Sequence, residues 1–248
     1  MARKKVCLFI VEGASDETAL GALIEKLVQN EAVVFDVFRT DIFSATQQRA
    51  GVDPIMHIEK MHDRIRAVTL KHLERADYSW KDLDRIVLLA DTDGCFIPDD
   101  AVVEREGIDS ICYLNDHIET ASAGGTRFRN KEKSSRLWGV IKGRRYVTNR
   151  NVRIPVSVYF MSRNLEHALS NEAGYVSDRR KAWLAREFSS RYKDDIDSFV
   201  GFMCNEIAVP GDYVGSWTYI AEGTNSLSRG SNLHLFIQDE VGDVSEAK

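Results

Sequence analysis

The sequence predicts an α/β fold in which a mainly parallel sheet is flanked by helices. Its strands are short apolar runs at residues 6–11, 32–38, 83–90 and 154–161, the pattern of strands buried on both faces. Helical patterns separate the first three runs and follow the last. Strands that alternate with helices indicate parallel neighbours joined by right-handed crossovers. A chain of 248 residues can bury one such core, so we expect one domain over residues 1–248.

Each remaining element follows from a local pattern. Helices are expected where apolar residues recur every three or four positions, which occurs after the first strand and at 54–76, 163–170, 181–192 and 195–206. Polar residues at 46–50 and in the Gly/Asn/Ser-rich segment 223–232 indicate loops. In the second loop, Asn225, Ser226 and Arg229 fit either a substrate-binding loop or a turn with Asx-type hydrogen bonds.

Composition excludes several classes of protein. No apolar run approaches the ~20 residues of a membrane span, and the N-terminal segment is too short for a signal peptide, so we expect a cytoplasmic protein without membrane contact. The four cysteines lack CxxC spacing, which argues against zinc and indicates free thiols. A net charge of −5 argues against a protein that binds polyanions over its whole surface.

Basic residues are nevertheless concentrated in one window. Between Arg127 and Arg153 there are ten basic residues, and Glu132 is the only acid. A locally basic face can hold a phosphate backbone, whereas the alternative is a solvated loop. We expect residues 121–153 to form a basic insertion or lid. The candidate contacts to nucleic acid in it are Arg127, Arg129, Lys142, Arg144 and Arg145.

Acidic residues follow two of the apolar strands. Glu12 and Asp16 come after the first strand, and Asp91 and Asp93 come at the end of the third. Ligands of open α/β sheets bind outside the carboxyl ends of the strands, where these side chains should meet. Carboxylate oxygens are the ligands that Mg²⁺ or Mn²⁺ prefers. The sequence therefore predicts a metal site made of these four carboxylates, although Asp16 alone could simply be a first-turn helix acid.

This arrangement resembles a Toprim domain, the catalytic fold of topoisomerases, primases and OLD-type nucleases. That family has a Glu-Gly after its first strand and an Asp-x-Asp after its third, matched here by Glu12-Gly13 and Asp91-Thr92-Asp93. OLD-type members place a further acid four residues after the Glu, which Asp16 matches. The resemblance covers about residues 6–93, and in outline extends to residue 169. The chain is similar to stand-alone RloB-type proteins of phage-defence loci.

The resemblance implies roles for individual residues. In topoisomerase and primase relatives the Glu acts in acid–base chemistry, so Glu12 is expected to hold metal, to move a proton, or both. OLD-type sites also use a lysine, for which the sequence alone offers no aligned position. Glu166 follows the strand at 154–161 and is a candidate additional catalytic acid, and Arg163 beside it could neutralise phosphate.

Three functions are compatible with these residues. The first is a Toprim-type nuclease that hydrolyses DNA or RNA phosphodiesters with Mg²⁺ or Mn²⁺, by resemblance in phage defence. The second is a non-catalytic Toprim scaffold that binds nucleic acid or a nucleotide as a subunit of a defence complex. No G-x-x-x-x-G-K-[ST] segment is present, so an ATPase or sensor protein is a candidate partner, and a homo-oligomer remains open. The third is a small phosphohydrolase. A haloacid-dehalogenase-type phosphatase is disfavoured, because its D-x-D-G motif follows the first strand.

Overall fold

The computed structural model describes residues 4–28, 32–43, 56–172 and 174–246, and confirms an α/β fold with a mostly parallel sheet. The central sheet has the strand order β2-β1-β3-β8-β7, in which the first four strands are parallel and β7 is antiparallel to β8. The strands are β1 (Lys5–Val11), β2 (Val33–Arg39), β3 (Leu83–Asp91), β4 (Val102–Glu104), β5 (Cys112–Tyr113), β6 (Ile118–Thr120), β7 (Tyr146–Asn149) and β8 (Val152–Met161).

Helices cover both faces of this sheet. The helices are α1 (Ala14–Val28), α2 (Met56–Arg75), α3 (Ala123–Ile141), α4 (Leu165–Ser170), α5 (Asp178–Tyr192), α6 (Ile196–Gly201), α7 (Tyr213–Ile220) and α8 (Leu233–Glu246). Short 3₁₀ or π turns lie at Trp80–Asp82, Asp99–Ala101, Phe202–Glu206 and Asn225–Leu227. Helices α1, α4, α5, α6 and α8 pack on one face, and α2, α3 and α7 pack on the other.

The strands are apolar along most of their length because successive side chains point to opposite faces of the sheet, and helices cover both faces. In β1, Phe9 joins the cluster beneath α1 and α8, whereas Leu8 and Ile10 join the cluster beneath α2 and α3. The same alternation holds in β3 and β8. Parallel order and burial on both faces place the carboxyl ends of β1, β3 and β8 side by side at one edge.

The basic segment 121–153 is built into the core, and the expectation of an insertion or lid is wrong. Helix α3 buries Leu137, Val140 and Ile141 against the sheet, and β7 forms the edge of the sheet beside β8. A smaller sheet with the order β4-β6-β5 precedes this helix and packs with Ala123 at its start. The predicted loop at 46–50 lies outside the described residues. Within the described part of the chain, no helix has both the length and the apolar character needed to cross a bilayer.

Candidate active site

The strand ends bring three of the predicted acids together. Glu12 directly follows β1, Asp91 is the last residue of β3, and β1 and β3 are paired in parallel. The ammonium of Lys133 lies 2.6 Å from Asp93 Oδ2 and 3.3 Å from Glu12 Oε1, which joins the two predicted acid motifs through one cation. The carboxylates of both motifs therefore share one cluster, as the parallel strands predict.

Asp16 belongs to the same cluster and also caps α1. The helix begins at Ala14, and the main-chain N–H of Gly13 donates to Asp16 Oδ2 at 2.8 Å, one half of a capping box. Asp16 is nevertheless 6% exposed, far less than a surface capping acid. A Cβ at Gly13 would lie 3.1 Å from this oxygen, so glycine allows the close approach.

Glu166 comes from the neighbouring strand end. Asn164 caps α4 by accepting the N–H of His167 at 2.9 Å, and this turn directs Glu166 inward, where it is 4% exposed. Burial raises the pKa of Asp16, and the nearby charge of Glu166 raises it further. Both line a cleft of about 420 Å³. The titratable side chains around this cleft are Glu12, Asp16, Asp41, Asp91, Glu166, Asp178 and Lys181.

Lys133 is the site residue that the sequence did not identify. It lies on α3 and its side chain is 3% exposed. The spacing of Asn130, Lys133, Leu137 and Val140 places all four on one buried face of the helix. This helical spacing could have indicated from the sequence that Lys133 faces the core. The many basic residues around it made the segment look like an exposed basic surface instead.

The pKa values divide the acids into two groups. Burial raises the pKa of Glu12 to about 7 although Lys133 opposes it, and burial raises that of Asp16 to about 6. Burial, together with the charges of Asp16 and Glu12, raises the pKa of Asp91 well above its usual range. For Asp93 the effect of burial is outweighed by Lys133, and the pKa is lowered. The same carboxylates hold the pKa of Lys133 above its ordinary value despite burial, so its ammonium stays charged.

The backbone around these acids is constrained. Asp93 and Arg163 have φ of +49° and +62°, a left-handed conformation that costs non-glycine residues on the order of 1 kcal/mol or more. The N–H of Asp93 donates to Arg163 O, and the N–H of Arg163 donates to Thr92 Oγ1, both at 2.8 Å. Thr92 is fully buried, and its own N–H donates to Met161 O. The ends of β3 and β8 are thereby locked together, which fixes the direction of the Asp93 side chain.

The predicted nucleic-acid contacts fall into two classes. Arg163 is 1% exposed and donates to the carbonyls of Leu114 and Leu227, so it stabilises the chain beneath the site and is not placed to contact phosphate. Arg127 donates to the carbonyls of Asp99 and Val102, and Arg129 donates to Asp93 O and Tyr113 Oη.

The three remaining predicted contacts are exposed. Lys142, Arg144 and Arg145 lie between α3 and β7, with their side chains at the surface. Lys142 Nζ lies 4.1 Å from the ring centre of Trp138, and the Arg145 guanidinium lies 4.3 Å from that of Tyr213. These aromatic contacts hold the cations in place without neutralising them.

The loop at 223–232 supports the site from beneath. Asn225 Nδ2 donates to Tyr219 O, and Arg229 Nε donates to Ala168 O. Ser226 O accepts the hydroxyls of Thr92 and Ser162. These internal bonds favour the turn over the substrate loop.

The acids on the cleft side have the donor chemistry that a divalent cation prefers. Asp91 Oδ1 is buried and has no hydrogen-bond partner among the described residues, a costly state for a carboxylate that a cation would relieve. Its neighbours Glu12, Asp16 and Glu166 offer only oxygen donors, which suit Mg²⁺ or Mn²⁺. In the described ranges, no group of three or more His, Cys, Asp or Glu side chains is already arranged around a metal-sized position.

Comparison with known proteins gives no family. No family model, no curated protein and no solved structure matches this chain.

Proposed function

We propose that this protein is a nuclease of Toprim type that hydrolyses phosphodiester bonds of DNA or RNA with Mg²⁺ or Mn²⁺. The observation that carries the proposal is the buried Asp91 Oδ1, which the described part of the chain leaves without a partner among three further acids, beside a buried and charged lysine. Uncompensated carboxylates facing a cleft are destabilising, and metal-dependent chemistry is a reason to retain them. The fold supports the proposal by placing these acids at the carboxyl edge of the sheet.

Asp91, Asp16, Glu166 and Glu12 would hold the cation. When bound, the cation supplies positive charge for the phosphoryl oxygens. Lys133 contributes a second, fixed positive charge next to Glu12 and Asp93. Glu12 lies beside this charge and is the carboxylate that we assign to accept a proton from water.

In the hydrolysis that we propose, a water oxygen bonds to phosphorus and its proton passes to the Glu12 carboxylate. The P–O bond to the leaving sugar oxygen breaks, and that oxygen takes a proton from solvent. Water is the only co-substrate, no oxidant is required, and the Glu12 carboxyl then returns its proton to solvent. Lys142, Arg144 and Arg145 are the exposed cations that would hold the flanking phosphates.

A cleavage assay tests the proposal. End-labelled single-stranded DNA, duplex DNA and RNA are incubated with the protein in Mg²⁺, in Mn²⁺ and in EDTA. We expect metal-dependent cleavage of at least one substrate, abolished by Glu12→Gln and by Asp91→Asn. Asp99→Asn is the matched control, because Asp99 is exposed and pairs with Lys131. Full activity of either site variant, with a contaminating nuclease excluded by co-elution of activity with protein, would refute the assignment.

A second candidate is a scaffold that binds nucleic acid or a nucleotide without cutting it. It is favoured by one observation, that Lys133 already compensates Glu12 and Asp93. Fluorescence anisotropy with the same labelled strands separates the two functions. Metal-dependent binding with no product in any metal would support the scaffold and exclude the nuclease.

A further inference from the structure

We propose that the ammonium of Lys133 takes the place of a second divalent ion, so that the acid cluster binds one metal ion on its cleft side and leaves Asp93 to the lysine. This inference rests on the metal dependence proposed above. It departs from a symmetric two-metal clamp, in which both Asp91 and Asp93 would be ligands.

One side of the acid cluster, here called the lysine side, is formed by Asp93 and Glu12 and is already filled by the ammonium of Lys133. Lys133 Nζ is 2.6 Å from Asp93 Oδ2, the distance of a short charge-assisted hydrogen bond, and also contacts Glu12. The Lys133 side chain is 3% exposed, and that of Asp93 is 30% exposed. A divalent ion on the same Asp93 oxygen would face the ammonium across a few ångströms, and the buried lysine has little solvent around it to screen that repulsion.

The lysine cannot easily move away, because α3 is tied to the chain that follows β3. Arg129 Nη2 donates to Asp93 O at 3.1 Å, and Asn130 Nδ2 contacts Gly94 O at 3.5 Å. Farther along the helix, Arg136 Nη1 donates to Phe43 O at 3.0 Å. These contacts fix the helix on both sides of Lys133, so its ammonium is held in position.

The cleft side has the opposite character. Asp91 Oδ1 is buried and finds no hydrogen-bond donor in the described ranges, and Asp16 and Glu166 are also buried. Asp91, Asp16 and Glu166 line the 420 Å³ cleft with Glu12, whereas Asp93 does not line it. A cation arriving from solvent therefore meets these four acids, and Glu12 is shared between the two sides.

Counting bound Mn²⁺ tests the inference without relying on cleavage. Free Mn²⁺ is measured by electron paramagnetic resonance as metal-free protein is titrated, and calorimetry gives the affinity. We expect one Mn²⁺ per chain. Asp91→Asn should weaken binding by about 100-fold or more, beyond the upper end of the range for outer-shell partners. Asp93→Asn should leave the stoichiometry at one ion and weaken binding by less than about 10-fold, far less than Asp91→Asn.

The lysine variants provide the second arm. Lys133→Met should allow a second Mn²⁺ to bind, since Glu12 and Asp93 then lack their cation. Lys131→Met is the control, because Lys131 lies two residues away on the same helix but is 68% exposed and pairs with Asp99. The control should bind one ion. If Lys133→Met does not fold by circular dichroism, the contrast between Asp91→Asn and Asp93→Asn decides the question.

Each outcome has a distinct meaning. Two ions in the wild type, of which Asp93→Asn binds only one, would overturn the inference and leave the nuclease intact. One ion that depends on Asp91 but not on Asp93, without cleavage of any strand, would support the inference and overturn the nuclease. No Mn²⁺ binding by the wild type would overturn both.

Discussion

The two sides of the acid cluster are built from the same residue types but differ in how their charge is balanced. On the lysine side, Asp93 is paired with Lys133, which lowers the pKa of Asp93. On the cleft side, Asp16 and the Oδ1 atom of Asp91 are buried, no described lysine or arginine forms a salt bridge with either residue, and burial raises both pKa values. Position at a strand end therefore does not define the role of a carboxylate. The nearest fixed cation defines it.

Among the variants that test this comparison, we expect the largest effect from Asp16→Asn. The amide can still accept the Gly13 N–H, so the cap of α1 is kept while one cleft carboxylate is removed. Because this acid is assigned to the cation, we expect cleavage at limiting Mg²⁺ to fall by about 100-fold, the upper end of the range for disturbed metal sites. Glu17→Gln, in an exposed pair with Arg39, should retain activity in the same assay. Equal activity of the two variants would remove Asp16 from the site.

Arg163→Met extends the comparison to the buried cations. Lys133 faces carboxylates, whereas the Arg163 guanidinium donates to the carbonyls of Leu114 and Leu227. Removing the guanidinium leaves the buried Leu227 carbonyl and the partly buried Leu114 carbonyl without this donor, so the free energy of unfolding should fall by about 2–4 kcal/mol. Arg145→Met, at the surface, should change it by less than about 0.5 kcal/mol. Urea denaturation measures both, and an Arg163 variant as stable as the Arg145 variant would contradict this structural role.

The raised pKa values predict an unusual pH dependence for the metal-free protein. For Glu12 the ordinary pKa is 4.5 and the folded value is about 7; for Asp16 the values are 3.8 and about 6. The folded state therefore holds more protons than the unfolded state. The stabilising contribution is fully present below the ordinary pKa values and is lost as the pH rises through about 6 to 7.

The effect of Glu12 should be on the order of 1–3 kcal/mol. His167, whose pKa is lowered to about 4 by burial, opposes this trend, so the useful quantity is a difference between variants. The stability of Glu12→Gln relative to wild type should increase between pH 5 and pH 7.5 in chemical denaturation. A difference that stays constant with pH would show that burial does not perturb Glu12.

The smallest effects are expected at the exposed basic residues. Lys142→Ala, Arg144→Ala and Arg145→Ala should each reduce the salt dependence of strand binding, lowering the slope of log K against log salt by about 0.7–0.9 for each phosphate that is no longer neutralised. Arg105→Ala is the control, because Arg105 is already paired with Glu119. Fluorescence anisotropy over a range of KCl measures the slopes. Unchanged slopes would place the nucleic acid elsewhere on the surface.

The strands β1, β3 and β8 and the helices α1 and α2 were predictable from the sequence, because each is a continuous local pattern of burial. Helix α3 was not, since its buried face includes Asn130, Lys133 and Arg136, and charged residues do not reveal a core-facing stripe. The role of Arg163 was also not predictable. An arginine after a strand has the same sequence signature whether it binds a ligand or main-chain carbonyls.

That Glu12, Asp91 and Asp93 meet follows from the sequence, because parallel strands end at the same edge of their sheet. Which of them is paired with a fixed cation depends on how α3 packs against the strand ends. Lys133 is 121 residues from Glu12 and 40 residues from Asp93 along the chain, and its effect depends on distance and on burial. Neither quantity exists until the helix packs against the strand ends, and so the charge balance of this cluster is a property of the fold.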